Sequence, residues 1–304
     1  MRRDHVLRFL AEQPACTVEM EACAGSHYWA REIAKLGHGV RLIAPGYVKP
    51  FVKRQKNDAA DAEAICEAAQ RPTMRFVAVK SEEQQAAAIV FRVRDLVVRQ
   101  RTQTINAIRG HLAEFGLVAA QGLFHLTKLV TAIEQMDPTV PEAARPILSL
   151  LVEQLRSLDA RVAELDREIG RRAREDAKAK RLMTIPGIGP ITATALAALA
   201  PSAQTFKRGR DFAAWLGLRP LQRSSGGKQK LGEKRTLRRL LIIGASAAVR
   251  WAMRKGSTGD PWLSRMLERK PPMLVIVALA NKTARIVWAL MAKGGTYRTP
   301  AIAG

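Results

Sequence analysis

The spacing of apolar residues changes along the chain, and with it the elements it predicts. Residues 16–20 and 40–44 are short β-branched runs bounded by small-residue turns, while residues 4–12 and 28–36 carry apolar side chains at helical spacing. This order predicts a short helix, then a right-handed strand–helix–strand unit with two parallel strands. A third short strand is expected at 75–79. Beyond residue 80 only the helical period persists. Residues 81–115 form one long helix with an apolar line through Ile89, Val93, Leu96, Gln100, Ile108 and Leu112, followed by a shorter helix near 123–136. Leu148, Leu151, Leu155, Leu158, Val162, Leu165 and Ile169 then step by three and four between charged flanks. That heptad seam predicts a coiled-coil arm whose partner is either the 81–115 helix or the same arm of a second chain.

Residues 182–200, L-M-T-I-P-G-I-G-P-I-T-A-T-A-L-A-A-L-A, have the form helix, G-x-G hairpin, helix. Further helices are expected at 208–216, 237–253 and 273–291. The chain thus divides into an α/β domain at 1–80, long helices and the coiled-coil arm at 81–181, and an all-α domain with a helix-hairpin-helix at 182–304.

Charge narrows the class of partner. Fifty Lys and Arg against 27 Asp and Glu give a net charge of +23 in 304 residues, a balance that favours a polymer of phosphates. The longest apolar runs, 240–249 and 273–280, are too short to span a bilayer, and the N-terminal M-R-R-D-H-V has no signal-peptide pattern. A membrane is not expected, and a cytoplasmic location is. Cys16, Cys23 and Cys66 form no C-x-x-C pair and have no zinc-finger histidine spacing, so they are expected to be buried thiols in a reducing compartment.

Three groups of residues carry candidate chemistry. Asp58 and Asp61 open a helical pattern one turn apart, after the basic run K-R-Q-K-N. Two such carboxylates either share a divalent cation or simply cap the helix and complement its dipole. Glu21 closes the first strand, and functional groups of open α/β sheets gather at the carboxyl ends of strands. In the hairpin, Gly187 and Gly189 present backbone N–H groups at a helix start, where they either hold a DNA phosphate or form a plain helical turn. The loop Q-R-S-S-G-G-K-Q-K-L-G-E-K-R carries Arg223, Ser224, Ser225, Lys228, Lys230 and Arg235. A serine there binds a phosphate, attacks one, or belongs to a solvated loop.

Taken in order, the strand end M-E-A, N-D-A-A-D-A, the arm, I-P-G-I-G-P and F-A-A-W-L-G-L-R-P-L-Q-R-S-S-G-G-K resemble the DEDD-type transposases of bacterial insertion sequences, the insertion-sequence one-ten family, relatives of the Piv DNA invertase. The resemblance covers essentially the whole chain. It implies a ribonuclease-H-like, RuvC-like first domain using four acids to bind Mg2+ or Mn2+, with Glu21 as the second acid and Asp58 and Asp61 as the third and fourth. It further implies a nucleophilic serine, Ser225 with adjacent Ser224 as the alternative, acting on donor and target DNA. A structured bridge RNA would select the sites, and a homo-oligomer would form through the coiled coil.

In that family the first acid lies on a strand upstream of every element seen here, so the domain is expected to lack its first strands and one acid. Three readings stand beside each other: a serine recombinase with metal-binding acids, a metal-only nuclease whose serine merely binds phosphate, and an inactive remnant that binds nucleic acid. A junction-binding architectural protein shares the charge and the hairpin but leaves the D-x-x-D unexplained.

Overall fold

The computed structural model describes residues 2–53, 57–218, 234–255 and 260–298, which fall into two compact units, 1–86 and 87–304. In the first unit the order is α1 (Val6–Ala11), β1 (Thr17–Glu21), α2 (Ser26–Lys35), β2 (Gly39–Ile43), α3 (Pro45–Val48), α4 (Asp58–Ala69) and β3 (Phe76–Val77). β1 and β2 run parallel with Thr17 opposite Gly39 and Glu21 opposite Ile43, and β3 runs antiparallel to β2. The expected strand–helix–strand unit is therefore present, and the third strand is shorter than its pattern suggested. Among the described residues β1 has a paired neighbour on one side only. Ile43, Val48, Ala64 and Ala68 are buried together where β2 meets α3 and α4, and alanines at 64 and 68 let α4 lie close to the sheet, while Leu42, next to Ile43 on the strand, is buried outside that cluster.

The second unit is helical. α5 (Glu82–Ala113) leads into α6 (Leu123–Glu134), α7 (Arg145–Glu175), α8 (Ala177–Leu182), α9 (Pro190–Leu199), α10 (Gly209–Trp215), α11 (Lys234–Lys255), α12 (Pro261–Arg269) and α13 (Pro272–Lys293). Helix α12 was not foreseen from the sequence. Its start is written locally, with Pro261 in the first turn and Asp260 accepting a hydrogen bond from the Trp262 N–H at 2.9 Å.

The seam on α7 is real, and its partner lies in the same chain. Leu148, Val152 and Leu155 pack with Ile108 and Leu112 of α5 and Leu126, Leu129 and Ile133 of α6. Further along, Leu158 and Val162 meet Val97 of α5. Ile169 enters the core shared by α8 to α13, where Phe212, Leu196, Leu237, Val275 and Val287 are fully buried. The packing is continuous across residues 181–182.

The apolar line assigned to α5 needs correction. Ile89, Val93 and Leu96 are exposed, whereas Val90, Phe91 and Val97 on the neighbouring stripe are buried with Ile108 and Leu112. Two apolar stripes run side by side there, and α7 selects one. Arg94 and Arg101 edge the contact through ion pairs with Asp166 and Asp159 of α7.

Two smaller expectations also change. All three cysteines are free but exposed rather than buried, because Cys16 precedes β1, Cys23 lies in the turn after it and Cys66 is on the outer face of α4. The apolar run at 273–280 belongs to the 22-residue α13, which is long and apolar enough to cross a bilayer. Its Val275, Ala280, Ala284 and Val287 instead bury into the helical core beside α10 and α11.

Candidate functional site

Asn57 sets up the carboxylate pair. Its extended backbone and side-chain oxygen cap α4, accepting from the Ala60 N–H at 2.8 Å. Asp58 and Asp61 are thus the acids of the first turn but not the cap, which leaves both carboxylates free for another role. Asp58 is exposed and Asp61 half-buried. Lys53, the nearest described cation of the preceding basic run, is held by Glu63, whose hydrogen bond raises the lysine's pKa.

Glu21 ends β1, one residue before the Ala22 N–H donates to Ile43 O at 2.7 Å and closes the strand pair. Helix α4 packs against β1, so both acidic segments belong to contacting elements. None of the three carboxylates has an ion pair or side-chain hydrogen bond among the described residues. Their chemistry suits a hard cation, which prefers carboxylate oxygens. As placed, however, no three of the described His, Cys, Asp or Glu side chains are gathered into a metal-binding group.

The hairpin is present, but its first helix, α8, ends at Leu182 rather than starting there, followed by a turn through Gly187 and by Gly189 as the residue before α9. Its two glycines do different work. Gly187 has φ +83°, and a Cβ there would lie 2.7 Å from the Gly244 carbonyl oxygen of α11. A Cβ on Gly244 would in turn lie 2.1 Å from the Gly187 oxygen. Backbone meets backbone at this crossing, so Gly187 is explained by packing. Gly189 faces open space and has no side-chain cap, which leaves its end of α9 accessible to an anion.

Arg223, Ser224, Ser225, Lys228 and Lys230 lie outside the described residues, as does the side chain of Arg235 in the first turn of α11. Sequence reasoning missed Gly244 and the Asn57 cap. The first had a signal, a glycine inside the apolar helical run L-I-I-G-A-S-A, and the second stood directly before D-x-x-D.

Comparison with known proteins places both regions. Residues 3–116, which contain Glu21, Asp58 and Asp61, match a transposase model of the DEDD IS110 type. Residues 179–259, which contain the hairpin and the serine loop, match the model described as transposase IS116/IS110/IS902 family. A probable family 20 transposase of Pseudomonas aeruginosa is 50% identical over 98% of this chain and 90% of its own length. A putative transposase of Sinorhizobium fredii is 45% identical over 98% of this chain and 78% of its own. The transposase for insertion sequence element IS1328 of Yersinia enterocolitica is 40% identical over 97% and 89%.

Proposed function

Because this chain belongs to the IS116/IS110/IS902 family of transposases, we propose that it moves its insertion sequence by cutting and rejoining DNA through transesterification at a serine. The observation that carries this reading is a set of carboxylates without partners among the described residues, Glu21 at the end of β1 and Asp58 and Asp61 on α4, inside the DEDD-type match.

In the proposed step Ser225 Oγ attacks a phosphodiester phosphorus, with Ser224 as the alternative. A P–O bond forms to the serine as the bond to a deoxyribose oxygen breaks, and the serine's proton ends on that leaving oxygen. The covalent phosphoserine keeps the energy of the broken bond for rejoining. Glu21, Asp58 and Asp61 would hold a divalent cation, Mg2+ or Mn2+, which would stabilise the negative charge that builds on phosphoryl oxygens. Gly189 and the cations Arg223, Lys228, Lys230 and Arg235 bind the backbone without reading sequence, alongside Gly187, whose contribution is to hold the hairpin on α11. A structured bridge RNA supplies site choice. The reaction runs in a homo-oligomer, which light scattering of the purified protein tests.

Trapping of a protein–DNA adduct tests the chemistry. Wild-type protein with Mg2+, its RNA and its DNA yields a covalent adduct, and Ser225→Ala yields none. An adduct surviving in Ser225→Ala overturns the nucleophile. Asp58→Asn and Asp61→Asn should each weaken Mn2+ binding by calorimetry as well as activity.

The absence of a three-acid group among the described residues favours one second reading, a chain that binds nucleic acid without cutting it. Strand cleavage by this chain with Mg2+ ends that reading. Free ends with no attached protein point instead to a metal-only nuclease.

A further inference from the structure

A surface recess of about 400 Å3 lies where α10 meets α13, lined by Arg208, Gly209, Arg210, Arg285, Trp288 and Ala289. Gly209 makes it possible. That residue is buried, and a Cβ on it would come within 3.2 Å of the Cα, Cβ and O of Arg285. The start of α10 therefore rests on the backbone of α13, and the arginines on either side of the glycine are brought beside a third that is distant in sequence. Below them Phe212, Ala284 and Val287 are fully buried, so the recess stands on packed helices.

The charge there is unbalanced. Among the described residues the guanidiniums of Arg208, Arg210 and Arg285 have no hydrogen-bond or ion-pair partner, and the carboxylate of the adjacent Asp211 reaches none of them. Elsewhere in the same unit Arg94, Arg101, Arg171 and Arg239 each hold a carboxylate. Three guanidiniums in one recess repel one another, and phosphate oxygens relieve that repulsion through charge-assisted hydrogen bonds. The aromatic member is held in place by its edge. Trp288 is half-buried, and its Nε1–H is committed to Ala203 O at 3.1 Å. A recess whose charged lining is three guanidiniums suits the phosphate oxygens of a nucleic-acid backbone, a contact that positions without reading sequence.

We infer that Arg208, Arg210 and Arg285 form a phosphate-binding site for the backbone of duplex DNA, separate from the carboxylates and the serine loop. The inference rests on DNA being the substrate, but on no assignment of the catalytic residues.

Fluorescence anisotropy of the full chain with a labelled duplex of arbitrary sequence, titrated over a series of salt concentrations, tests it. Replacing one arginine by Gln should lower the magnitude of the slope of log K against log salt by about 0.9, and replacing all three by roughly 2–3. Each single change should cost on the order of fivefold in affinity at 0.15 M salt, equally for unrelated duplex sequences. Lys at the same positions should keep the slope. The triple variant binding with the wild-type slope overturns the site, as does a loss confined to an RNA hairpin used in parallel. Wild-type protein that binds no duplex overturns the DNA reading itself, a separate outcome. Should the triple variant melt early, Arg210→Gln alone decides, because its exposed side chain carries no packing.

Discussion

Two single residues show how much a backbone contact can demand. At the Gly187–Gly244 crossing either carbonyl oxygen occupies the space a side chain on the other residue would need. Gly244→Ala adds a Cβ 2.1 Å from an oxygen, and Gly187→Ala adds a left-handed conformation to the clash. Overpacking typically costs 1–3 kcal/mol and a non-glycine residue in that conformation about 1–2 more. Urea denaturation should therefore show Gly187→Ala as the worse of the two, with Gly189→Ala near wild type because nothing lies within 4 Å of it. At Glu168 hydrogen bonds from Arg171 and Arg172 hold the carboxyl down at about 2. Its folded-state pKa lies below the unfolded one, so its stabilising contribution is present above the ordinary glutamate range and is lost as pH falls through the range down to about 2. Acid titration followed by circular dichroism should show Glu168→Gln flattening that part of the profile, with the same contribution, small for a screened surface network, missing at pH 7.

What was legible at this scale is the element on which each candidate acid lies. N-D-A-A-D put two carboxylates on one helical turn, and a glutamate closing a strand pointed to the same end of the sheet. The meeting of Gly187 with Gly244, or of Arg208 with Arg285, was not legible, because residues far apart in sequence are joined only by the tertiary packing of α9 on α11 and α10 on α13. Periodicity says that a helix has an apolar face and never says which helix covers it.

That limit is clearest among the long elements. Helix α5 carries two adjacent apolar stripes, and no local rule distinguished Ile89–Val93–Leu96 from Val90–Phe91–Val97. Burial against α7 and the shared core chose the second. The α7 seam, by contrast, was legible at Leu148, Leu155, Leu158, Val162 and Ile169, while Val152 is buried where Leu151 was expected and Leu165 is only partly buried. Leu158 is 1% exposed in that seam, so Leu158→Ala should cost about 2–5 kcal/mol by chemical denaturation. Leu96→Gln, on the exposed stripe, should stay within about 0.5 kcal/mol. A large loss at Leu96 with none at Leu158 would mean that α5 turns its other face to α7.

For the whole molecule, core size sets the order of events on heating. The first unit buries little beyond Ala30, Ile33, Leu42, Ile43, Val48 and the alanines of α4, on a sheet of three strands. The second buries a continuous core drawn from α5 and from α7 to α13. Small cores leave little margin over conformational entropy, and a chain built of two units with separate cores need not unfold in one step. Calorimetry should resolve two transitions. Leu42→Ala should lower only the first, because that side chain is fully buried in the sheet of the first unit, and Leu196→Ala only the second, because it sits in the helical core. A single transition displaced by both substitutions would show that the two cores melt as one. Duplex DNA added in excess should raise the transition of the unit that binds it, by the mass action any ligand exerts on the state it prefers. If the arginine recess is the contact, the Leu196 transition moves, and it stops moving when Arg208, Arg210 and Arg285 are replaced.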